Sequence, residues 1–241
     1  MDETLTHEEL KHIDSLVQHY RDQYGQYRKF LNALHSQIGD VLDPDNQDPL
    51  GQLIHSVKFR LKSPESLSGK LKRKLKDSKK TGEEFGITLD NLFEKITDLA
   101  GYRILHLHTR QFEELNRRLL PILEEAHKIT EGPCARTWDE ETKAYYESIG
   151  IETQTNERMY SSVHYLVQPN SRTSRTIEIQ VRTLADEIWG EIDHKINYPE
   201  KHDLIACREQ IFALARVTSS CSRLVDAIMT THKDWIDKKT E

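Results

Sequence analysis

The chain has 241 residues, long enough to bury a sizeable core as one large or two small domains. Its formal net charge of −6 speaks against coating bulk nucleic acid, although a local basic patch would still bind phosphate. Cys134, Cys207 and Cys221 form no C-x-x-C pair, the acidic M-D-E-T-L-T-H-E-E start lacks an apolar signal region, and no apolar run reaches membrane-spanning length. The expectation is a soluble, cytoplasmic protein without membrane contact, disulfide framework or zinc site.

Thr6 and Glu9 have the spacing of a capping box, so a helix is expected from about His7. Leu10, Ile13, Val17, Tyr20, Tyr24, Tyr27, Leu31, Leu34 and Ile38 then recur in steps of three and four, a stripe on one long helix. Gly39–Leu50, with its prolines and aspartates, reads as a loop, and Gln52–Leu61 as a strand. Lys58, Arg60 and Lys62 alternate, which sends three cations to one side. Glu65–Lys80 is expected to be a strongly basic helix. Leu89, Leu92, Phe93, Ile96 and Leu99 suggest a further helix to about Asp98, before a strand at Tyr102–Thr109. Gln111–His127 is an amphipathic helix interrupted or bent at Pro121.

Thr130–Met159 is polar and irregular and reads as a long loop. Ser161–Pro169 and Thr176–Thr183 are strands. Leu184–Asn197 is a helix with Ile188, Trp189 and Ile192 buried, ended by Pro199. Asp203 caps a last helix carrying Leu204, Cys207, Ile211, Leu214, Cys221, Val225, Ile228 and Trp235. The two terminal helices are natural partners for one another or across a homo-oligomer. The order of strands and helices indicates a mixed α/β unit.

In Thr176–Thr183 the apolar Ile177, Ile179 and Val181 alternate with Glu178, Gln180 and Arg182. Together with Asp98 and His164, this places two acids and a histidine beside the basic segment Lys58–Lys80. Phosphoryl and pyrophosphoryl transfer depend on charge neutralisation and positioning. Mg²⁺ takes one or two carboxylates and leaves the rest of its shell to water and phosphate, which suits Asp98 and Glu178. Glu178 also suits a general base for an attacking hydroxyl. Lys62 and Lys70 suit phosphates, and the planar guanidiniums of Arg60 and Arg103 suit stacking on a base. There is no G-x-x-x-x-G-K-[ST], G-x-G-x-x-G, H-E-x-x-H or G-x-S-x-G motif, so nucleotide would need another cradle.

V-K-F-R-L-K-S-P-E-S-L-S-G-K (57–70), D-L-A-G-Y-R (98–103), Y-S-S-V-H (160–164), E-I-Q-V-R-T (178–183) and W-G-E-I-D-H (189–194) stand in the order found in the RelA/SpoT synthetase family. The chain resembles that family from about Gln52 to Pro199. With no hydrolase half apparent, it resembles a single-domain small alarmone synthetase. The resemblance implies a mixed β-sheet flanked by helices, distantly like nucleotidyltransferases, with a core over 51–199 between helical segments 1–50 and 200–241. It implies transfer of the β,γ-pyrophosphate of ATP to the 3′-hydroxyl of GDP or GTP with Mg²⁺. In that scheme Arg60 and Arg103 sandwich adenine. Lys62, Ser66 and Lys70, with Arg73 nearby, hold the ATP phosphates. Asp98 and Glu178 bind the metal, Glu178 is the base, and Gln180 supports it. Tyr160 stacks on guanine and His164 contacts the acceptor.

The acceptor half departs from the family pattern. Ser161 stands for an arginine, Asn156 for a lysine and Glu187 for an asparagine. Arg158 or Arg172 are candidates to compensate. Toxic relatives use the same chemistry on the 3′ CCA end of tRNA, which would need those cations less, so tRNA is the alternative acceptor. A non-catalytic nucleotide- or RNA-binding module is the second alternative.

Overall fold

The computed structural model describes residues 5–171, 174–197 and 204–240. Pro199, Asp203 and Arg172, named above, lie outside them. Helix α1 (His7–Leu42) starts at the expected capping box and runs through Gly39 to end four residues beyond Ile38, the last residue before the expected loop. Its stripe packs into the protein's own core, with Ile13, Tyr20, Tyr27, Leu34 and Ile38 buried. The Tyr20 hydroxyl sits 2.8 Å from the Lys62 carbonyl oxygen and 3.3 Å from that of Leu99.

After the short helix α2 (Pro49–Leu53) come β1 (Ser56–Leu61) and the basic helix α3 (Pro64–Thr81), whose Leu67, Leu71 and Leu75 face inward. Helix α4 (Leu92–Lys95) is a single turn, shorter than its apolar spacing suggests. The chain beyond it is held from outside instead: Thr176 Oγ1 donates to the Thr97 carbonyl at 3.1 Å, and the Lys62 amide to that of Leu99 at 2.8 Å. Asp98 is thus in a non-helical segment leading into β2 (Ala100–His106). Helix α5 (Phe112–Ala126) continues through Pro121 without a break.

The region expected to be a long loop is ordered structure: β3 (His127–Thr137), α6 (Glu140–Ser148) and β4 (Glu152–Thr155). The β3 ladder shifts register twice against β5 (Ser162–Pro169), between Ile129 and Glu131 and between Glu131 and Cys134, which destroys the period of two. Gly132 is required there. Its φ is +92°, and an added Cβ would lie 2.2 Å from the His164 carbonyl oxygen. Strand β6 (Ile177–Thr183) leads into α7 (Leu184–Asn197), and α8 (Ile205–Thr240) closes the described chain.

The six strands form one mixed sheet in the order β1-β2-β6-β5-β3-β4, with β2–β6 and β3–β4 parallel and the other pairs antiparallel. In α7, Trp189 is buried as expected, but Ile188 is 57% and Ile192 39% exposed, because Glu187 turns inward. The α8 stripe also differs from expectation. Its buried face carries Ile211 and Ala215, then Thr218, Ser219, Ser222 and Asp226, and it docks on α7 and the segment before α5 rather than along α1. Ser222 Oγ lies 3.0 Å from Thr183 Oγ1, and Asp226 Oδ1 2.6 Å from His108 Nδ1. Polar contacts leave the helix's large apolar residues outside. No helix among the described residues is long and apolar enough to cross a membrane.

Candidate active site

Strand register builds the site. Lys58, Arg103, Gln180 and His164 are direct partners across β1, β2, β6 and β5, so all four project from one face of the sheet. Arg60, Gly101 and Glu178 form the next row of that face. Over it lies a cleft of about 390 Å³, whose walls include Arg60, Lys62, Asp98, Arg103, Glu178 and Gln180.

The two acids are held differently. Asp98 accepts an ion pair from Lys62 Nζ at 3.2 Å and from Lys70 Nζ at 2.7 Å. Burial opposes its ionisation, but the two ammoniums outweigh burial and keep its carboxyl below the ordinary range. Glu178 receives His164 Nδ1 on Oε1 at 2.9 Å and Gln180 Nε2 on Oε2 at 2.8 Å. Burial is the largest single influence and pushes its pKa up, the His164 and Gln180 contacts together pull it down, and the net shift is downward. Since an ionised carboxylate only accepts, His164 Nδ1 carries the proton of that bond.

Beyond the acids is a second charged cluster. Glu187 Oε1 accepts from Lys58 Nζ at 2.9 Å and Arg103 Nη1 at 3.2 Å, and Arg103 Nη1 also meets Glu191 Oε1 at 2.7 Å. Arg182 Nη1 lies 3.3 Å from Glu187 Oε2. Tyr160 has the Arg182 guanidinium carbon 5.1 Å from its ring centroid and the His164 ring at 5.7 Å.

Two carboxylates in one cleft are hard oxygen donors suited to a divalent cation that keeps water and phosphate as its other ligands. Among the described residues no group of three or more His, Cys, Asp or Glu side chains is arranged to hold a metal, so substrate oxygens would have to complete the shell.

A family model described as "Region found in RelA / SpoT proteins" matches residues 59–203. This chain belongs to the RelA/SpoT family. It is thus an enzyme of the pyrophosphokinase type. It is 26% identical over 209 residues to the GTP pyrophosphokinase YwaC of Bacillus subtilis (strain 168), a match covering 85% of this chain and 86% of YwaC. The fold is that of a GTP pyrophosphokinase family protein from Streptococcus pneumoniae, with TM-score 0.64, 19% identity, and 89% and 95% of the two chains covered. It is also that of small alarmone synthetase 1 from Bacillus subtilis bound to its product pppGpp, with TM-score 0.60, 19% identity, and 90% and 98% covered.

In this RelA/SpoT chain the cleft brings together Arg60, Lys62, Asp98, Arg103, Glu178 and Gln180, with Lys70 and His164 one contact behind. Ser66, Lys70 and Arg73 share one face of α3, three and four residues apart. Ser66 is in the first turn, bonded to the capping Ser63 at 3.0 Å, and neither it nor Arg73 lines the cleft. Tyr160 belongs to a separate apolar cluster around Trp189. Arg136 went unnoticed in the sequence because β3 reads as a loop. Its Nη1 lies 3.9 Å from Glu178 Oε1, and its Nε is buried without a hydrogen-bond partner. Arg182 was visible only as one more residue on a polar strand face.

Proposed function

We propose that the chain moves the β,γ-pyrophosphate of ATP to the 3′-hydroxyl of GDP or GTP, with Mg²⁺, releasing AMP. The observation that carries this reading is the cleft in which Asp98, clamped by Lys62 and Lys70, faces the same space as an ionised, hydrogen-bonded Glu178. ATP phosphates would take Lys62 and Lys70, with Ser66 and Arg73 further along α3, and so release Asp98. Arg60 and Arg103 would hold adenine between planar guanidiniums. Asp98 and Glu178 would hold Mg²⁺, which when bound neutralises charge developing on the transferred group.

The acceptor hydroxyl oxygen then attacks the β-phosphorus, the bond from that phosphorus to the α–β bridging oxygen breaks, and AMP leaves. Glu178 accepts the hydroxyl proton, and Gln180 and His164 keep its carboxylate in place. Tyr160 offers guanine an aromatic face. His164 Nε2 is buried without a hydrogen-bond partner and is available to the acceptor. Arg136, beside Glu178 with an unpartnered Nε, supplies a cation for acceptor phosphates where Ser161 and Asn156 supply none.

The synthetase core of this reading is 51–199, with 1–50 and 200–241 as its helical flanks. The site of action is taken to be the cytoplasm.

A second reading, transfer to the 3′ end of tRNA, is supported by Ser161. It is a neutral hydroxyl, bonded to Thr137 Oγ1 at 2.9 Å, at a position where the phosphates of a free nucleotide would call for a cation. A non-catalytic nucleotide-binding role is disfavoured by the intact acid pair. ATP labelled on the β-phosphate, offered separately with GDP, GTP, ATP and deacylated tRNA, separates the readings. Label on GDP or GTP with release of AMP is expected. Label only on tRNA overturns the nucleotide acceptor, and no AMP release with any acceptor overturns the transferase.

A further inference from the structure

We propose that Arg182 is a positioning residue that couples the acceptor-binding aromatic Tyr160 to the base Glu178; this rests on the transfer reaction proposed above. Arg182 is 3% exposed, although its strand lies beside an open cleft. Its Nη2 donates to Gln180 Oε1 at 2.6 Å, and Arg103 Nε donates to the same oxygen at 3.3 Å. Two donors on the amide oxygen leave only the amide nitrogen to face Glu178, and Gln180 Nε2 does so at 2.8 Å. The same guanidinium lies over the Tyr160 ring, 5.1 Å from its centroid. One planar group thus fixes both the ring proposed to receive the base of the acceptor and the amide that aims the carboxylate at the acceptor's hydroxyl.

Two further features serve this placement. Glu187, on α7, anchors Nη1 at 3.3 Å. Gly190, one helical turn on, leaves the space: a Cβ there would lie 2.5 Å from Nη1. A buried guanidinium with Nε unpartnered is a poor device for stability alone. Its fork is suited to holding two groups at a fixed angle, which a lysine ammonium cannot do.

The experiment compares the wild-type chain with Gly190→Ala and Arg182→Lys. Gly190→Ala keeps every polar residue and displaces only the far end of the Arg182 side chain. AMP release from ATP is measured first on the wild type, with GDP, GTP and deacylated tRNA as acceptors. Expected in both variants is a fall in kcat of about ten- to a hundredfold, a raised KM for the acceptor and an unchanged KM for ATP. Should Gly190→Ala lose its cooperative melt, the same readouts on Arg182→Lys decide. Wild-type transfer with kcat and the acceptor KM unmoved in the folded variants overturns the inference alone. A wild type that releases no AMP with any acceptor overturns the transfer reaction and this inference with it.

Discussion

His164 Nδ1 donates to Glu178 Oε1 across 2.9 Å, from the strand next to the one that carries the acid. The pair fixes the ionised form of Glu178 and turns the other imidazole nitrogen away from it. Replacing His164 by Ala should raise the Glu178 pKa, since burial then acts with less opposition. A base works only when deprotonated. Wild-type transfer should therefore persist on acidification to below the ordinary glutamate range, and the variant's acid limb should lie at higher pH. A pH–rate profile of both proteins checks this. Glu178→Gln should keep the fold and lose about 10²–10⁴-fold in transfer, read as AMP release.

The double variant Lys62→Gln, Lys70→Gln should weaken ATP binding by about tenfold or more per lost charge-assisted contact, measured by calorimetry with a non-hydrolysable analogue. It also leaves Asp98 without either ammonium. A depressed carboxyl contributes stability above its unfolded pKa, and that stability fades as pH falls through the folded value. The variant should lose this contribution at neutral pH, while the difference from wild type shrinks in strong acid.

Asp186 behaves in the opposite sense. Burial raises its pKa from 3.8 to about 6. The native state then binds the proton more tightly than the unfolded chain, so stability falls as pH rises from about 4 to about 6 and stays lowered above that. Asp186→Asn should stabilise the protein by about 2 kcal/mol at pH 7.5, with the gain gone near pH 4. Urea denaturation at the two values tests it.

Glu187 is the shared counter-ion of Lys58, Arg103 and Arg182, and its side chain is 7% exposed. Glu187→Ala should cost about 3 kcal/mol in chemical denaturation by stranding a buried guanidinium.

Helix α8 keeps Val217, Leu224, Ile228 and Trp235 more than half exposed. A homo-oligomer built through this helix is the expected state, and light scattering that returns a monomer at micromolar concentration would rule it out.

Much of the cleft wall was legible because its residues are close in sequence or sit on a simple period. Lys58, Arg60 and Lys62 alternate on one strand, and Asp98 is five residues from Arg103. The rest depended on long-range encounters. Lys58 meets Glu187 across 129 positions, and nothing local marks an inward glutamate on a helix whose neighbours Ile188 and Ile192 are the apolar ones. Likewise β3 escaped notice because two register shifts and Gly132 break its alternation, and Arg136 was lost with it. Helix α8 misled because its buried side is made of serine, threonine and aspartate bonded to Thr183, Asp139 and His108.

The Tyr20 hydroxyl lies between the carbonyls of Lys62 and Leu99, the latter next to Asp98. Helix α1 therefore acts as a splint on the two backbone segments that meet as cation and acid. Damage to that helix, by truncation or by a cut near its middle, should be felt as slack in the grip on ATP. The Tyr160 side, next to β5 and three strands across the sheet from β1, has no such tie to α1 among the described hydrogen bonds, and its affinity for the acceptor should outlast the injury.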